Sequence, residues 1–548
     1  MLGKTKQPKY IFVTGGVLSG LGKGITSASI GNILKERGLK VSMQKFDQYI
    51  NIDAGTLNPA EHGEVFVTDD GAEADLDLGH YERFLDQNLT GDSSVMTGEI
   101  YQEVINKERR GEYLGKTVQV IPHVTEEVKR RAREAAAKSD CDVHIVEIGG
   151  TIGDNEGFHF VEAARQMALD EGKENVLYVH VVFLPYLKAS EEVKTKPAQN
   201  SVRELRSIGI QPDILIARTD YQTEEDIVNK LSLYTNVSKD SILPLNTVDT
   251  VYEVPLIMEQ HHLDDVIMDK LEIKKRSRIN GQWKELVDNI KKDKPKTTIA
   301  MVGKYTTMMD TYASLVAALK AACWQNGTDL DLRWIDAEEL EKTDDISSFF
   351  DGVQGVTVPG GFGVRGTEGK IKAIQYAREN KIPYLGLCLG MQLAVIEFAR
   401  HVAGMEQATS QEFIDEGDQG QERMNSCVIH IMEDQKTIHE KGGTMRLGGW
   451  DCVLTPDSFS YKAYGSKKIR ERHRHRYEFN NEFRDKLSDA GLRISGTTPD
   501  GSLVEIVEVE DHPWFVGVQF HPEFTARPVG GHPLFNAFVA AAKKSTDS

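Results

Sequence analysis

YIFVTGGVLSGLGKGITSASIGNILKERG, residues 10–38, decides the fold. Its first seven residues are apolar without alternation, as expected of a buried parallel strand. A glycine-rich turn, GGVLSGLGKG (15–24), follows, and a helical pattern opens at Ile25. Such a turn points backbone N–H groups at an anion, and the helix N-terminus adds positive potential. Lys23 is placed to reach the outer phosphates of a nucleotide. Gly24 stands where a standard P-loop has Ser or Thr, so any cation needs another holder, with Ser19 and Thr26 nearby.

Working outward, the same pattern recurs. VSMQKF (41–46), VHIVEIGG (143–150), VLYVHVVFL (176–184) and DILIAR (213–218) read as buried strands, and VTEEVKRRAREAAAKSD (124–140) has helical spacing. Alternating strands and helices predict a doubly wound α/β domain over 1–270. Residues 271–297, charged and ending in a Lys/Pro-rich stretch, read as a linker. A second α/β domain is predicted over 298–548. Its strands are TIAMVGKY (298–305), GVTVPGG (355–361), PYLGLC (383–388) and WFVGVQF (514–520), with a helix over 311–323. Segments 401–426 and 434–446 read as loops.

Acidic residues at the ends of parallel strands lie where such sheets bind ligands. Glu147 closes the strand VHIVEIGG, and Asp77 stands in DGAEADLDLGHYERF (70–84). Magnesium takes hard oxygen ligands, commonly one or two carboxylates plus phosphate oxygens. Two further loops extend the anion theme: GTIGDNEG (150–157) and KTKPAQNSV (194–202).

The second half carries different chemistry. Cys388 sits in G-x-C-x-G, Gly386 to Gly390, between a strand and a helix expected to begin near Met391. This is the cysteine form of a nucleophile elbow. The helix N-terminus lowers a thiol pKa. The N–H of Leu389 is one candidate oxyanion donor, and Gly361 in PGGFG (359–363) is a second. In QFHPEF (519–524), His521 can take the thiol proton while Glu523 orients the imidazole. An amino-acid substrate needs its α-carboxylate neutralised, which suits Arg476 in RHRHRYE (472–478). Glu412 can pair with the α-amino group.

Bulk properties narrow the classes. With 548 residues the chain exceeds one hydrophobic core, and 40% hydrophobic with 27% charged residues is an ordinary globular composition. A net charge of -19 argues against general nucleic-acid binding. No apolar run has membrane-spanning length, and the N-terminus runs straight into a strand, so neither a signal peptide nor a membrane partner is expected. The five cysteines are scattered, with no CxxC pair, which fits a reducing cytoplasm.

PGGFG, GLCLGMQ (386–392) and QFHPEF, in that order, resemble the class I glutamine amidotransferases. FVTGGVLSGLGKG (12–24), YINIDAGTLNPAEHGEVFVTDDGAEADLDLGHYERF (49–84), VEIGGTIGD (146–154) and KTKPAQNSVRELRSIGIQPD (194–213) resemble the amidoligase domain of CTP synthases, related to dethiobiotin synthetases. Gln48, Ala74 and Gly20 depart from the residues common there (Pro, Thr and Ser) without touching a group assigned to chemistry. The resemblance implies a P-loop-like, Rossmann-type N-terminal domain and a C-terminal glutamine amidotransferase domain. It implies ATP binding by Gly20, Leu21, Gly22, Lys23, Gly24, Ile25 and Asp77, and Mg2+ at Asp77 and Glu147. UTP and CTP fall to Ser19, Lys45, Asp154, Asn155, Glu156, Lys194, Thr195, Lys196, Pro197, Ala198, Gln199 and Lys230. Glutamine falls to Gly361, Leu389, Gly390, Met391, Gln392, Glu412 and Arg476, with Cys388, His521 and Glu523 catalytic. His62 and Val65 line an ammonia tunnel. GTP is the implied activator, CTP the feedback inhibitor, and a homotetramer, able to form filaments, the implied assembly. The competing expectations are an amidoligase for another acceptor and a filament-forming ATP-binding scaffold.

Overall fold

The computed structural model describes residues 7–222, 225–279, 281–304, 308–414, 424–432, 435 and 444–544. By contacts the chain forms two units, Met1–Asp53 with Asp77–Val287 and Ala54–Leu76 with Asp288–Ser548. Residues 54–76, inside the expected 1–270 span, thus group with the C-terminal half.

The first unit is built on a seven-stranded parallel sheet. Its order is Ile242–Asn246, Ile214–Thr219, Val176–Phe183, Lys9–Gly15, Val143–Ile148, Val41–Asp47, Ser94–Met96. The expected strands recur, and Val143–Ile148 stops where the glycines begin. Helices cover the sheet, so Tyr10, Phe12, Val146 and Ile148 share one buried cluster with Val128, Ala132, Phe160 and Ala164. The segment read as a linker contains the helix Gln282–Ile290. Its Trp283 packs beside Phe84 and Tyr252 and donates its indole N–H to the Tyr252 carbonyl at 2.8 Å.

The second unit holds a nine-stranded sheet: Asp329–Asp336, Lys296–Gly303, Gly355–Val358, Tyr384–Leu387, Phe515–Val518, Val504–Val509, Leu492–Thr497, Arg446–Leu454, Lys468–His475. The first five strands run parallel and the rest antiparallel. Ala300 and Val302 face one buried cluster and Ile299 and Met301 the other. Both faces are covered, which is why these strands lack alternation. Of the expected loops, 415–423, 434 and 436–443 lie outside the described residues. The remainder of those loops includes the short strand Thr409–Ser410.

Within this unit the inserted residues form a small hairpin, Val65–Val67 against Glu73–Asp75. Phe66 packs on Phe524, ring centroids 5.1 Å apart. The buried Arg472 guanidinium lies 5.4 Å from the Phe66 ring and donates to the Val67 carbonyl at 3.1 Å. Ion pairs Arg470–Asp69 (3.1 Å) and Arg474–Glu73 (2.7 Å) flank it.

The helix Leu389–His401 approaches the sheet so closely that a Cβ on Gly390 would overlap the carbonyl oxygen of Val358. Backbone cannot yield there as a flexible side chain can. Gly390→Ala should therefore destabilise the unit by about 1–3 kcal/mol, the usual range for overpacking, read as a lower urea midpoint. Gly281→Ala, with open space around it, should stay within about 0.5 kcal/mol of the parent chain.

Candidate active sites

In the first unit, the turn after Lys9–Gly15 carries positive φ at Val17, Gly20 and Gly22, and the helix Lys23–Glu36 follows. Lys23 is buried and donates to the Gly150 carbonyl at 2.7 Å. Burial lowers its pKa, with Glu147 opposing. Lys45 and Glu147 are register partners on adjacent strands. The Lys45 ammonium pairs with Asp77 and lies 3.6 Å from both Asp47 and Glu147. The Tyr81 hydroxyl donates to Glu147. Burial raises the Glu147 carboxyl above its usual range; burial acts on Asp77 too, but Lys45 and His80 outweigh it and hold that carboxyl low.

These carboxylates explain Gly24. A Cβ there would overlap Oδ1 of Asp77 and come within 3.5 Å of Oε2 of Glu147. Two carboxylates stand where a P-loop hydroxyl would be, with a lysine cation already between them. That all-oxygen pair suits Mg2+ completed by phosphate oxygens. Among the described residues no group of three or more His, Cys, Asp or Glu gathers to hold a metal by itself. Thr26 Oγ1 is buried with no hydrogen-bond partner.

The structure gathers some of the expected nucleotide residues. Asp154 and Asn155 line a cavity of about 220 Å³ with Gly15 and Gly149–Gly153. Lys194, which pairs with Glu192, and Lys196–Gln199 do not line it. Their helix, Lys196–Ser207, meets the glycine-rich turn instead: a Cβ on Gly16 would overlap Ser201 Oγ. Thr195 accepts from the Gln199 amide at 3.0 Å. Ser19, Glu156 and Lys230 are exposed.

In the second unit, Cys388 itself takes the strained turn, at φ 50° and ψ -103°. The helix starts at Leu389, two residues before its expected start, so Cys388 is its N-cap. The N–H groups of Leu389, Gly390 and Met391 have no helical carbonyl to bond. Gly386 and Gly390 serve close packing, since neither has a positive φ. A Cβ on Gly386 would sit 2.7 Å from the Gly390 carbonyl carbon. A Cβ on Gly360 would lie 2.6 Å from His521 Cε1 and 3.5 Å from Cys388 Cβ, which puts the PGGFG loop over both residues.

His521 Nδ1 and Glu523 Oε1 are 2.7 Å apart, and His521 Nε2 is buried with no hydrogen-bond partner. Burial disfavours the imidazolium, but Glu523 and then Cys388 outweigh it and raise the His521 pKa to about 10. The arrangement favours the imidazolium form of His521.

Cys388, His521, Glu523, Gly361 and Val65 share a cavity of about 270 Å³. His62 closes the helix Pro59–His62 and does not line it. Met391 is buried, and Gln392 donates to the Tyr477 carbonyl (2.9 Å) and to Gln519 (3.2 Å). Glu412 accepts from the Gly363 N–H at 2.7 Å, and burial raises its pKa. Arg476 is not among the cavity residues; it donates to Gln435 and Thr444.

The cavity adds residues that sequence reasoning missed: Lys304, Lys370 and Arg474. Lys370 is wholly buried, and burial, then Lys304, lower its pKa to about 7. The Arg474 carbonyl lies 3.8 Å from Cys388 Sγ, and its guanidinium 5.3 Å from the Phe362 ring. Arg474 was visible within the basic run RHRHRYE; Lys304 and Lys370 gave no sequence signal.

Residues 9–273 match the family described as CTP synthase N-terminus, and residues 307–541 match the class I glutamine amidotransferases. The CTP synthase of Carboxydothermus hydrogenoformans is 54% identical over 537 residues, 98% of this chain and 99% of that one. That of Clostridium acetobutylicum is 54% identical over 97% of this chain and 98% of its own. The Bacillus cytotoxicus CTP synthase is 52% identical over 98% and 99%. With two chemically distinct sites and full-length relatives of one kind, the chain belongs to the CTP synthase family, the glutamine-hydrolysing, ATP-dependent ligases that form CTP.

Proposed function

We propose that the two sites divide the synthesis of CTP from UTP as follows. The Cys388 thiolate attacks the side-chain amide carbon of glutamine. The Leu389 and Gly361 N–H groups receive the developing oxyanion. His521 gives its proton to the departing nitrogen, the C–N bond breaks, and ammonia leaves a thioester that water hydrolyses to glutamate. Gly390, Met391 and Gln392 shape the pocket, with Glu412 on the α-amino group and Arg476 on the α-carboxylate. Ammonia released within the protein stays neutral and nucleophilic, and His62 and Val65 line the tunnel that carries it. The single observation that carries this reading is the strained Cys388 elbow in one cavity with the His521–Glu523 pair.

In the first unit, the turn Gly20–Ile25 and Lys23 cradle ATP. The 4-oxygen of UTP accepts the γ-phosphoryl group, which makes it a leaving group; ammonia then attacks C4 and phosphate departs. Asp77 and Glu147 would hold Mg2+, whose charge offsets that of the phosphates. Lys45, Ser19, Asp154–Glu156, Lys194–Gln199 and Lys230 contact UTP, and CTP in feedback. GTP activates the glutaminase, the assembly is a homotetramer able to form filaments, and the enzyme works in the cytoplasm.

The test follows CTP absorbance with UTP, ATP and Mg2+, once with glutamine plus GTP and once with ammonium chloride. Cys388→Ala should lose glutamine-dependent synthesis and keep the ammonia-dependent rate; loss of both would overturn the division into two sites. Lys23→Ala should reduce both rates by more than about 10²-fold, a size consistent with phosphoryl transfer resting on charge neutralisation. Retained synthesis would remove Lys23 from that role.

The raised pKa of His521 predicts a pH effect. A pKa above the unfolded value means that the imidazolium, and the stability it contributes, is fully present below about pH 6.5 and lost as pH rises through about 10. Glutaminase kcat/KM should therefore hold to about pH 9.5. Glu523→Gln removes the largest raising influence, so its alkaline limb should move down by more than about one unit. An unmoved limb would mean that Glu523 does not set this titration.

A further inference from the structure

The Phe362–Gly363 peptide is gripped from both edges. Its carbonyl oxygen accepts from Lys304 Nζ at 2.9 Å, and its N–H donates to Glu412 Oε1 at 2.7 Å. The same ammonium also reaches the Gly363 carbonyl at 3.3 Å. Lys304 is 6% exposed. Its own backbone is fixed by Tyr312, whose hydroxyl donates to the Lys304 carbonyl at 3.0 Å and accepts the Lys304 N–H at 3.3 Å. Burial lowers the Lys304 pKa, Arg365 adds to that, and Glu412 opposes it.

The gripped peptide belongs to a loop that cannot hold itself. Gly360, Gly361 and Gly363 supply no side chains, and Gly363 has φ 76°. The loop nevertheless runs over the nucleophile, with Gly360 at His521 and Cys388 and Gly361 at Leu389. Turning the Phe362–Gly363 peptide over would break both charge-assisted hydrogen bonds and leave the buried Lys304 and the half-buried Glu412 facing like dipoles.

We propose that Lys304 is a positioning residue for glutamine hydrolysis: with Glu412 it locks the Phe362–Gly363 peptide and so fixes the loop that presents the Gly361 N–H to the oxyanion formed at Cys388. Lys304 touches no reacting atom in this role. The inference rests on Cys388 being the glutaminase nucleophile.

Lys304→Met keeps length and removes the donor. The expected result is a fall of about 10²-fold in glutamine-dependent kcat, the scale of losing one oxyanion donor. The glutamine KM should change by less than about 3-fold, because bound glutamine carries no developed oxyanion. Ammonia-dependent CTP synthesis and the rate of Cys388 alkylation by iodoacetamide, which needs no oxyanion hole, should both match the parent enzyme. A kcat within about 2-fold of the parent overturns the proposal. So does a raised KM at unchanged kcat, which would make Lys304 a substrate-binding group, or slowed alkylation, which would mean general damage. Tyr312→Phe loosens the same lysine more gently and should lower kcat about 5-fold with KM unchanged; an unaffected kcat counts against the lock even if Lys304→Met fails to fold. Cys388→Ala is run alongside. If that variant still uses glutamine, the nucleophile assignment fails, whatever Lys304 does.

Discussion

Cys388 is held in backbone geometry that a side-chain-bearing residue avoids, at a cost of about 1–3 kcal/mol. The strand and helix on either side over-determine it. The Cys388 N–H donates to the Val518 carbonyl at 2.7 Å and its carbonyl accepts from Gln392 at 3.1 Å. The helix cannot retreat, because Gly390 lies on the Val358 backbone and Gly386 under it. The strained turn leaves the buried Cys388 lining the cavity at the end of the sheet, at the N-terminus of a helix. His521 follows the adjacent strand Phe515–Val518, so the nucleophile and its base stand at the ends of two neighbouring parallel strands. Everything else at this centre is arranged around a thiol whose position is not adjustable.

The first unit solves a related problem by the opposite means. Glycines take two of the turn's three positive-φ positions, Gly20 and Gly22, with Val17 at the third, and charges crowd the turn from behind. Asp77 and Glu147 crowd the helix start until only a glycine fits at position 24. A standard P-loop places its metal-holding hydroxyl on the helix; here the space is taken by carboxylates from another helix and a neighbouring strand. Lys45 holds those carboxylates together, and the opposite directions of their pKa shifts follow from unequal contact with it.

Local chemistry made much of this legible. Buried parallel strands announce themselves as unbroken apolar runs, and the two strand-turn-helix motifs carry their glycines in sequence. Close packing and turn flexibility ask for the same residue, so only the structure separates Gly390, which packs on backbone, from Gly22, which takes a positive φ. The linker reading of 271–297 failed to register QWKELV as an amphipathic turn whose Trp283 is buried. The grouping of 54–76 with the C-terminal half was invisible, since its partners Arg470, Arg472 and Arg474 lie some four hundred residues away. Those arginines alternate along Lys468–His475 in a run that reads equally well as a solvated charged strand.

The docked hairpin region also explains why the PGGFG loop is held firmly in this unit. Glu64 accepts from the Ser314 N–H at 3.0 Å and its own N–H bonds the Asp310 carbonyl at 3.0 Å. These contacts fix the start of the helix Ala313–Gln325 beside Tyr312, which fixes Lys304, which grips the loop. A second route runs from Glu73 through Arg474, whose guanidinium faces the Phe362 ring. Both routes begin in residues 54–76 and end on Phe362. Each link is a hydrogen bond, ion pair or ring contact with a defined geometry, so the loop inherits its order from a segment that contributes no catalytic group. The block 49–84 therefore includes residues that impose shape on the Cys388 cavity through packing and hydrogen bonds.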